Sequence, residues 1–311
     1  MSVLVIGGGV SGLTCAIELR RRGHTVELWA ELLPPDVTSS VAAAFWYPYK
    51  ADPPERVLGW SATSYRRFAK MAGEPDTGVT MRTAVEVLRE PSPGPWWAAA
   101  VPSLRAAPPE LLPPGFTHGW CFESPVIDTR RYLPWLVAEL AKTGVAIVQR
   151  RVDAIDGLPH DVVVNCAGLG ARALFGDDSL FPIRGQLVHV QDPGLDVVVL
   201  DETDPRGISY VVPRGDDCVL GGTAELGDED LEARIASTRG IVERCTTLVP
   251  ALRGAAQLGE RVGLRPGRPT VRLERERIGS RTIVHDYGHG GAGVTLSWGC
   301  AEEVCALVGG P

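Results

Sequence analysis

A short apolar, β-branched run opens the chain and predicts a strand buried on both faces. It spans residues 3–6 and is followed at once by a glycine-rich turn. From Leu13 the apolar side chains recur at helical spacing, which predicts a helix that ends at Gly23. Thr25–Trp29 then has the composition of a second buried strand. This strand–helix–strand order within about thirty residues matches the size of one dinucleotide-binding unit.

Beyond this unit the patterns predict further helices and strands of two kinds. Helices are expected over Gly59–Ala72, from Asp128 as N-cap, over 228–249 and over Gly293–Val308. Buried strands are expected at Thr83–Leu88, Val145–Val148, Asp161–Asn165 and Ile283–Asp286. Four segments alternate like antiparallel strands: Gln186–Val190, Val197–Leu200, Tyr210–Val212 and Cys218–Gly221. The proline-rich stretch Pro91–Phe116 lacks both periodicities and predicts a long surface excursion.

Together these elements predict an α/β fold made of two lobes that are discontinuous in sequence. A Rossmann-type nucleotide-binding lobe is expected from residues 1–50, 128–185 and 263–311. A second, antiparallel-sheet α+β lobe, which would hold the substrate, is expected from residues 51–127 and 186–262.

Composition narrows the choice of partners. The net charge of −7 argues against nucleic acid or an anionic membrane as the main partner. No run of eighteen uninterrupted apolar residues exists, so a cytoplasmic protein without a membrane span is expected. The seven cysteines are irregularly spaced, which favours reduced thiols and predicts no metal site. For the oligomeric state, we include a homodimer among the expectations.

The glycine-rich turn carries the first chemistry, because Gly7-Gly8-Gly9-Val10-Ser11-Gly12 contains the G-x-G-x-x-G spacing between a strand and a helix. Gly7 permits the tight turn, Gly9 lets a pyrophosphate approach the backbone, and Gly12 lets helix and strand pack closely. The helix N-terminus then offers free N–H groups to phosphates. Glu31, nineteen positions after Gly12, is placed to bind ribose hydroxyls and disfavours NADP. The motif alone leaves FAD and NAD open.

Further motifs resemble one family, the D-amino-acid oxidases, with D-aspartate oxidases as near relatives. They occur in the family's order over nearly the whole chain: Ser39–Tyr49, Val163–Gly168, Arg184–Gln186, Gly263–Pro269, Tyr287–Thr295 and Trp298–Ala301. The resemblance implies FAD as cofactor. It also implies FAD contacts from the glycine turn and Glu31 and from a further set of residues: Ser39, Ser40, Ala43, Ala44, Phe45, Val164, Gly168, Gly288, Gly290, Gly291, Gly293, Val294 and Thr295.

Three residues are predicted to hold the substrate. By resemblance, the Arg265 guanidinium and the Tyr210 hydroxyl bind its carboxylate, and the backbone carbonyl of Gly291 receives its amine. The relatives that select D-aspartate tend to have serine at that glycine position, so Gly291 favours neutral substrates. The resemblance further implies hydride transfer from the substrate Cα to flavin N5 without a general base. His289 is therefore expected to be a turn histidine bonded to backbone.

The pocket wall is expected to differ from that of animal relatives. The loop Asp201–Ser209 is shorter and has Arg206 where those relatives carry a second tyrosine on a lid, and Tyr47 replaces their frequent glutamine. The resemblance thus implies oxidation of neutral D-amino acids by dioxygen to 2-oxo acids, ammonia and hydrogen peroxide. Four alternatives stay open: a glycine or sarcosine oxidase, a D-aspartate oxidase, an NAD-dependent dehydrogenase, and a catalytically silent nucleotide-binding protein.

Overall fold

The structure, a computed structural model, describes residues 1–309 and contains two β-sheets with six α-helices. The helices are α1 (Val10–Arg21), α2 (Pro54–Met71), α3 (Thr129–Lys142), α4 (Ala171–Phe175), α5 (Ile235–Leu248) and α6 (Gly293–Val308). The first strands are β1 (Ser2–Ile6), β2 (Thr25–Ala30), β3 (Val79–Leu88), β4 (Arg105–Ala106), β5 (His118–Ile127), β6 (Ala146–Gln149) and β7 (Val162–Asn165). The others are β8 (Phe181–Gln191), β9 (Val197–Asp201), β10 (Ser209–Pro213), β11 (Asp217–Gly221), β12 (Glu225–Leu226), β13 (Gln257–Gly267), β14 (Arg272–Ile278) and β15 (Arg281–Tyr287).

The first sheet has six strands in the order β14-β15-β7-β1-β2-β6, and all its pairs are parallel except β14 with β15. Val3, Leu4 and Val5 of the central strand β1 are fully buried, as expected for a strand covered on both faces. The predicted strand–helix–strand unit and the return of later strands to this sheet are confirmed. Asp128 also caps α3, since its side chain accepts a hydrogen bond from the Arg130 backbone N–H at 3.1 Å.

The second sheet has nine strands, ordered β12-β8-β11-β10-β9-β3-β5-β4 with β13 paired to β8. Its pairs are antiparallel apart from β3 with β9. The predicted α/β class with a second, largely antiparallel sheet is therefore confirmed. The proposed lobe boundaries at 185/186 and 262/263 fall inside β8 and β13, both strands of the second sheet, so Arg265 extends from that sheet. The division into lobes itself remains a prediction.

One expected element begins later than predicted in the structure, and one strand was not expected at all. The helix predicted over 228–249 begins only at Ile235, because the side chains of Asp228 and Asp230 accept hydrogen bonds from backbone N–H groups two residues ahead. Such local bonds compete with helix formation. β13 was not predicted, since glycine, proline and charged residues obscure its alternation. Pairing with β8 along its whole length overrides those weak local preferences.

The proline-rich stretch is partly buried, so its expected position as a surface excursion was wrong in part. Trp97 is 1% exposed, and its ring meets those of Trp46, Tyr47 and Phe122 edge-on at centroid distances of 4.9–5.8 Å. One aromatic side chain therefore anchors a segment without regular periodicity. Burying the large apolar surface of a tryptophan offsets part of the entropy that is lost when this segment is ordered.

The last helix, α6, packs between α1 and α2 beside the first sheet. Gly299 on α6 lies so close to α2 that an added Cβ would meet the Trp60 backbone oxygen at 2.2 Å. Trp298 beside it is buried and donates from its indole to the Tyr132 hydroxyl at 2.9 Å. Within residues 1–309, none of the helices combines the length and apolar character needed to cross a bilayer.

Substituting Gly299→Ala should lower the free energy of unfolding by about 1–3 kcal/mol, because the new methyl group would push two helix backbones apart. Urea unfolding followed by circular dichroism measures this loss. Gly59→Ala, within α2 where an added Cβ meets nothing within 4 Å, is the matched control. It should gain about 0.5–1 kcal/mol in helix propensity. Equal effects from both substitutions would contradict the close α2–α6 contact.

Candidate active site

One cavity of about 550 Å³ brings together segments that are far apart in sequence. The N-terminal glycine turn and the segment after β2 form one wall, while the turn after β7, strand β13 and the turn before α6 form the other. The carboxyl ends of β1, β2, β6 and β7 all face it through Ile6, Ala30, Arg150 and Cys166. An open parallel sheet places its ligand site at this edge.

The N-terminus of α1 points into this cavity without an anionic residue to neutralise it. Its first turn contains no acidic residue, and its N-cap, Gly9, has no side chain. Ser39 Oγ accepts a hydrogen bond from the Val10 N–H at 3.0 Å. Gly8 and Gly12 are required for packing, since a Cβ would approach backbone oxygens at 2.3 and 2.0 Å. The result is a site for a negatively charged group.

A second helix N-terminus, that of α6, faces the same cavity. Gly293, Val294 and Thr295 line it, and again the first turn has no acidic residue. The hydroxyl of Thr295, a residue expected to contact FAD, donates to the Tyr47 backbone oxygen at 3.1 Å and accepts from the Tyr47 N–H at 3.2 Å. Its present role is to fix Tyr47 against the helix. The backbone N–H groups at the start of α6 supply the positive end of the helix dipole at the cavity.

Arg265, Tyr210 and Gly291, the three residues predicted to hold the substrate, converge at one part of the cavity. An added Cβ on Gly291 would lie 3.7 Å from Arg265 Cδ, and one on Gly222 would lie 3.0 Å from the Tyr210 hydroxyl oxygen. Burial raises the pKa of Tyr210, and the nearby Arg265 guanidinium opposes that rise. The hydroxyl therefore stays protonated and can donate a hydrogen bond.

The Arg265 guanidinium has no anionic partner among residues 1–309, because no carboxylate of this part lies within 4.0 Å of it. It lies flat against Gly185, where an added Cβ would be 2.3–2.5 Å from its terminal atoms. Its Nη1 donates to the Thr223 backbone oxygen at 3.0 Å. An oriented guanidinium without a counter-ion fits a ligand carboxylate.

The opposite part of the cavity holds Glu31, the residue predicted to bind ribose. Glu31 is exposed, and Arg151 Nη1 lies 3.4 Å from its Oε1. Arg150 stacks over Trp29 at 4.3 Å, and Val152 also lines this part. Sequence reasoning missed residues 150–152. The parallel pairing of β6 with β2, which brings the ends of both strands to one edge, is the feature that identifies them.

Most of the predicted cofactor residues line the cavity: Gly7, Gly8, Gly9, Val10, Ser11, Glu31, Ser39, Ala43, Ala44, Phe45, Gly168, Gly290, Gly291, Gly293, Val294 and Thr295. Four others do not line it. Gly12 packs on Gly7, Gly288 packs on Arg268, and Val164 is fully buried in the middle of β7. Ser40 uses its backbone oxygen to accept from Thr129 Oγ1. Gly12 and Gly288 are thus needed for packing beside the site.

His289 lines the cavity, but its Nε2 lies 3.1 Å from Asp286 Oδ1, so its partner is a side chain and not the expected backbone. Asp286 is fully buried and also accepts from the thiols of Cys15 at 3.4 Å and Cys166 at 3.8 Å. Burial raises the pKa of both thiols, which keeps them protonated as donors. All seven cysteines are free and buried, as expected.

Comparison with known proteins decides the family. The model of the DAO family, FAD-dependent oxidoreductases, matches residues 2–307. A D-amino-acid oxidase of Rubrobacter xylanophilus is 51% identical over 310 residues, covering 98% of this chain and 95% of the relative. A human D-aspartate oxidase is 34% identical over 98% of this chain and 94% of that protein. This chain belongs to the family of FAD-dependent oxidoreductases. The predicted resemblance is thereby confirmed.

The fold agrees with that assignment. The crystal structure of glycine oxidase from Geobacillus kaustophilus superposes with a TM-score of 0.82 at 19% identity, covering 98% of this chain and 94% of that one. As a member of the FAD-dependent oxidoreductase family, the present chain has FAD as its cofactor. The residues present fit it: two helix N-termini without acidic residues face one cavity. The first would hold the pyrophosphate and the second the electron-rich edge of the flavin.

Behind the cavity wall lies a partly buried acidic group that the sequence did not reveal. The Tyr47 hydroxyl donates to Glu86 Oε1 at 3.0 Å, while Tyr47 itself lines the cavity. Glu86 Oε2 and Glu202 Oε1 are buried and have no hydrogen-bond partner within residues 1–309. Burial raises the pKa of Glu86 to about 7, with Tyr47 opposing and Glu202 adding to the rise.

This raised pKa predicts a pH-dependent stability. Since the folded protein holds the Glu86 proton more tightly than the unfolded chain, the stabilisation is complete below the usual value of 4.5 and is lost as pH rises through about 7. Glu86→Gln should therefore raise the free energy of unfolding relative to the parent by about 1–3 kcal/mol more at pH 8 than at pH 4.5. Urea unfolding at both pH values measures the difference. The exposed Glu90→Gln should show none, and a pH-independent effect of Glu86→Gln would refute the assignment.

Proposed function

We propose that this protein oxidises the α-amine of neutral D-amino acids to 2-oxo acids, releasing ammonia and hydrogen peroxide. The observation that carries the proposal is the convergence of Arg265, Tyr210 and Gly291 in the cavity next to the α6 N-terminus. The D-amino-acid oxidase from Rubrobacter xylanophilus, at 51% identity over nearly the full length of both chains, supports the D-amino-acid class of substrate.

The substrate carboxylate would be held by a cation and a hydroxyl. The Arg265 guanidinium provides parallel N–H donors, and the protonated Tyr210 hydroxyl adds another. Because Gly185 and Thr223 already fix the guanidinium, little conformational entropy is lost when the carboxylate binds. The substrate is thereby oriented before any bond is broken.

The amine would be received by the carbonyl of Gly291, in the turn that Tyr49 covers. Two anchors on one substrate fix the direction of its Cα–H bond. When bound, FAD supplies the acceptor for the hydride at flavin N5 and passes the electrons to dioxygen. No side chain is needed as general base, and His289 is engaged with Asp286. Orientation and electrostatics are thus the contributions of the protein.

The cavity favours neutral substrates over D-aspartate. Binding a second carboxylate calls for a second cation near Arg265. Among residues 1–309, the other arginines that line the cavity are Arg150 and Arg151, which lie with Glu31 in the opposite part. The bare Gly291 offers no side-chain hydroxyl either. D-aspartate oxidation is therefore the less supported alternative.

Replacing Arg265 tests the proposal. Arg265→Ala should raise KM for D-alanine by about 100-fold or more, because the buried carboxylate loses its charged partner. Arg265→Lys keeps the charge but loses the forked arrangement of donors, so its KM for D-alanine should lie between those of the parent and Arg265→Ala. Steady-state oxygen consumption measures both. Arg261→Ala, an exposed arginine on the same strand, is the matched control.

A kcat/KM for Arg265→Ala within about twofold of the parent would overturn the assigned role. Anaerobic addition of D-alanine to the yellow protein provides the second measurement. Loss of the flavin colour supports amine oxidation. Colour that persists with every D-amino acid would favour a silent FAD-binding protein, and a colourless purified protein would contradict the cofactor.

A further inference from the structure

The second sheet places Glu86 in one row with the candidate carboxylate-binding residue. In register, Glu86 on β3 pairs with Leu200 on β9, and Leu200 pairs with Tyr210 on β10. Partners in register project from the same face of a sheet. Leu200 and Tyr210 line the cavity, so Glu86 projects from the cavity face. Two strand spacings, about 10 Å, separate its backbone from that of Tyr210.

An apolar wall connects the two ends of this row. The rings of Phe45 and Tyr210 are 6.2 Å apart, and those of Phe45 and Tyr47 are 5.9 Å apart. Leu200 and Ile208 complete the lining. A substrate whose carboxylate is held by Arg265 and Tyr210 can extend its side chain along this wall toward Tyr47. A fully extended lysine or arginine side chain spans most of that distance.

The far end of the row holds two carboxyl groups, Glu86 and Glu202, with little positive charge beside them. Glu86 faces Tyr47 and Glu202, and Glu86 Oε2 lacks a donor among the described side chains. Burial raises the pKa of Glu202, and the positive charge of Lys50 opposes that rise. Lys50 is exposed, however, and its ammonium lies over the Tyr49 ring at 5.1 Å. Arg89, on the same strand extension as Glu86, is paired with Asp201 at 2.9 Å. Among residues 1–309, one cation therefore offsets Glu202 in part, and no cation is found to lower the pKa of Glu86.

We propose that Glu86, acting through Tyr47, selects substrates by the charge of their side chain. D-Amino acids with a long cationic side chain are favoured over neutral ones of the same shape, and anionic side chains are disfavoured. This inference rests on the proposed oxidation of D-amino acids and extends the proposed substrates from neutral side chains to cationic ones. Glu86 is a specificity-determining residue that need not touch the reacting atoms. A unit charge across a partly buried wall at this distance corresponds to roughly tenfold in kcat/KM.

Pairs of substrates matched in shape test the proposal on the parent protein. We expect kcat/KM for D-arginine to exceed that for the neutral isostere D-citrulline by roughly tenfold at pH 8.5. Kcat/KM for D-aspartate should fall below that for D-asparagine by a similar factor. Both ratios should shrink at pH 6, where Glu86 takes up its proton. The guanidinium of D-arginine keeps its charge over this range, so the change reports on the protein.

Glu86→Gln keeps the shape and removes the charge. It should bring both ratios to within about twofold of one and abolish their pH dependence, with the change residing in KM. Glu90→Gln, which alters an exposed carboxyl two residues past the end of β3, should keep the parent ratios. Equal turnover of D-arginine and D-citrulline by the parent at pH 8.5 would overturn the proposal even if Glu86→Gln does not fold.

D-Alanine separates this inference from the function on which it rests, because its methyl side chain does not reach Tyr47. Turnover of D-alanine without charge selection refutes the role of Glu86 alone. Absence of D-alanine turnover by the FAD-loaded parent refutes both the proposed function and this inference. Charge selection that persists in Glu86→Gln also overturns the inference.

Discussion

A guanidinium held in place without a counter-ion is the feature around which the substrate end of the cavity is built. Leaving a partly buried cation unpaired is costly, because the lost hydration is not replaced by an ion pair. The protein reduces this cost through the Thr223 carbonyl and holds the planar group against Gly185. A ligand carboxylate would accept hydrogen bonds from the remaining N–H donors of the guanidinium. The stability that the protein gives up at Arg265 therefore becomes affinity for a ligand.

The same principle applies to the cofactor end at the scale of whole helices. α1 and α6 both direct a positive N-terminus into the cavity, and neither carries an acidic residue in its first turn. Their positions are fixed by mutual packing, in which Gly299 lets α6 lie directly against α2. The electrostatics of the site thus depend on contacts that lie well outside it. Oriented dipoles act strongly only when the surrounding packing prevents their reorientation.

The carboxyl groups around the cavity, Asp286 and Glu86, differ in how completely they are hydrogen-bonded. Asp286 is buried but has three side-chain donors, from Cys15, Cys166 and His289. Glu86 is partly buried with a single side-chain donor, Tyr47, and its buried Oε2 has no hydrogen-bond partner within residues 1–309. The first arrangement satisfies a carboxylate and holds the turn in place. The second leaves a carboxyl group whose charge responds to neighbouring charges and to pH, which suits a role in distinguishing substrates by charge.

The sequence alone determined the elements whose information is local. The β1–α1–β2 unit, the capped α3 and the final helix follow from hydrophobic spacing, glycine turns and an N-cap. The resemblance added Arg265, Tyr210 and Gly291, and the cavity brings these three together. Their functional roles remain predictions.

Only the tertiary structure decided which residues meet across the sheets. β13 forms despite its poor local pattern because β8 supplies its hydrogen-bond partners, and residues 150–152 reach the cavity because β6 lies beside β2. The row from Glu86 through Leu200 to Tyr210 joins β3 to β9 and β10, two strands that follow it by more than a hundred residues. Such a row depends on register, and register is set by long-range packing that no local pattern encodes.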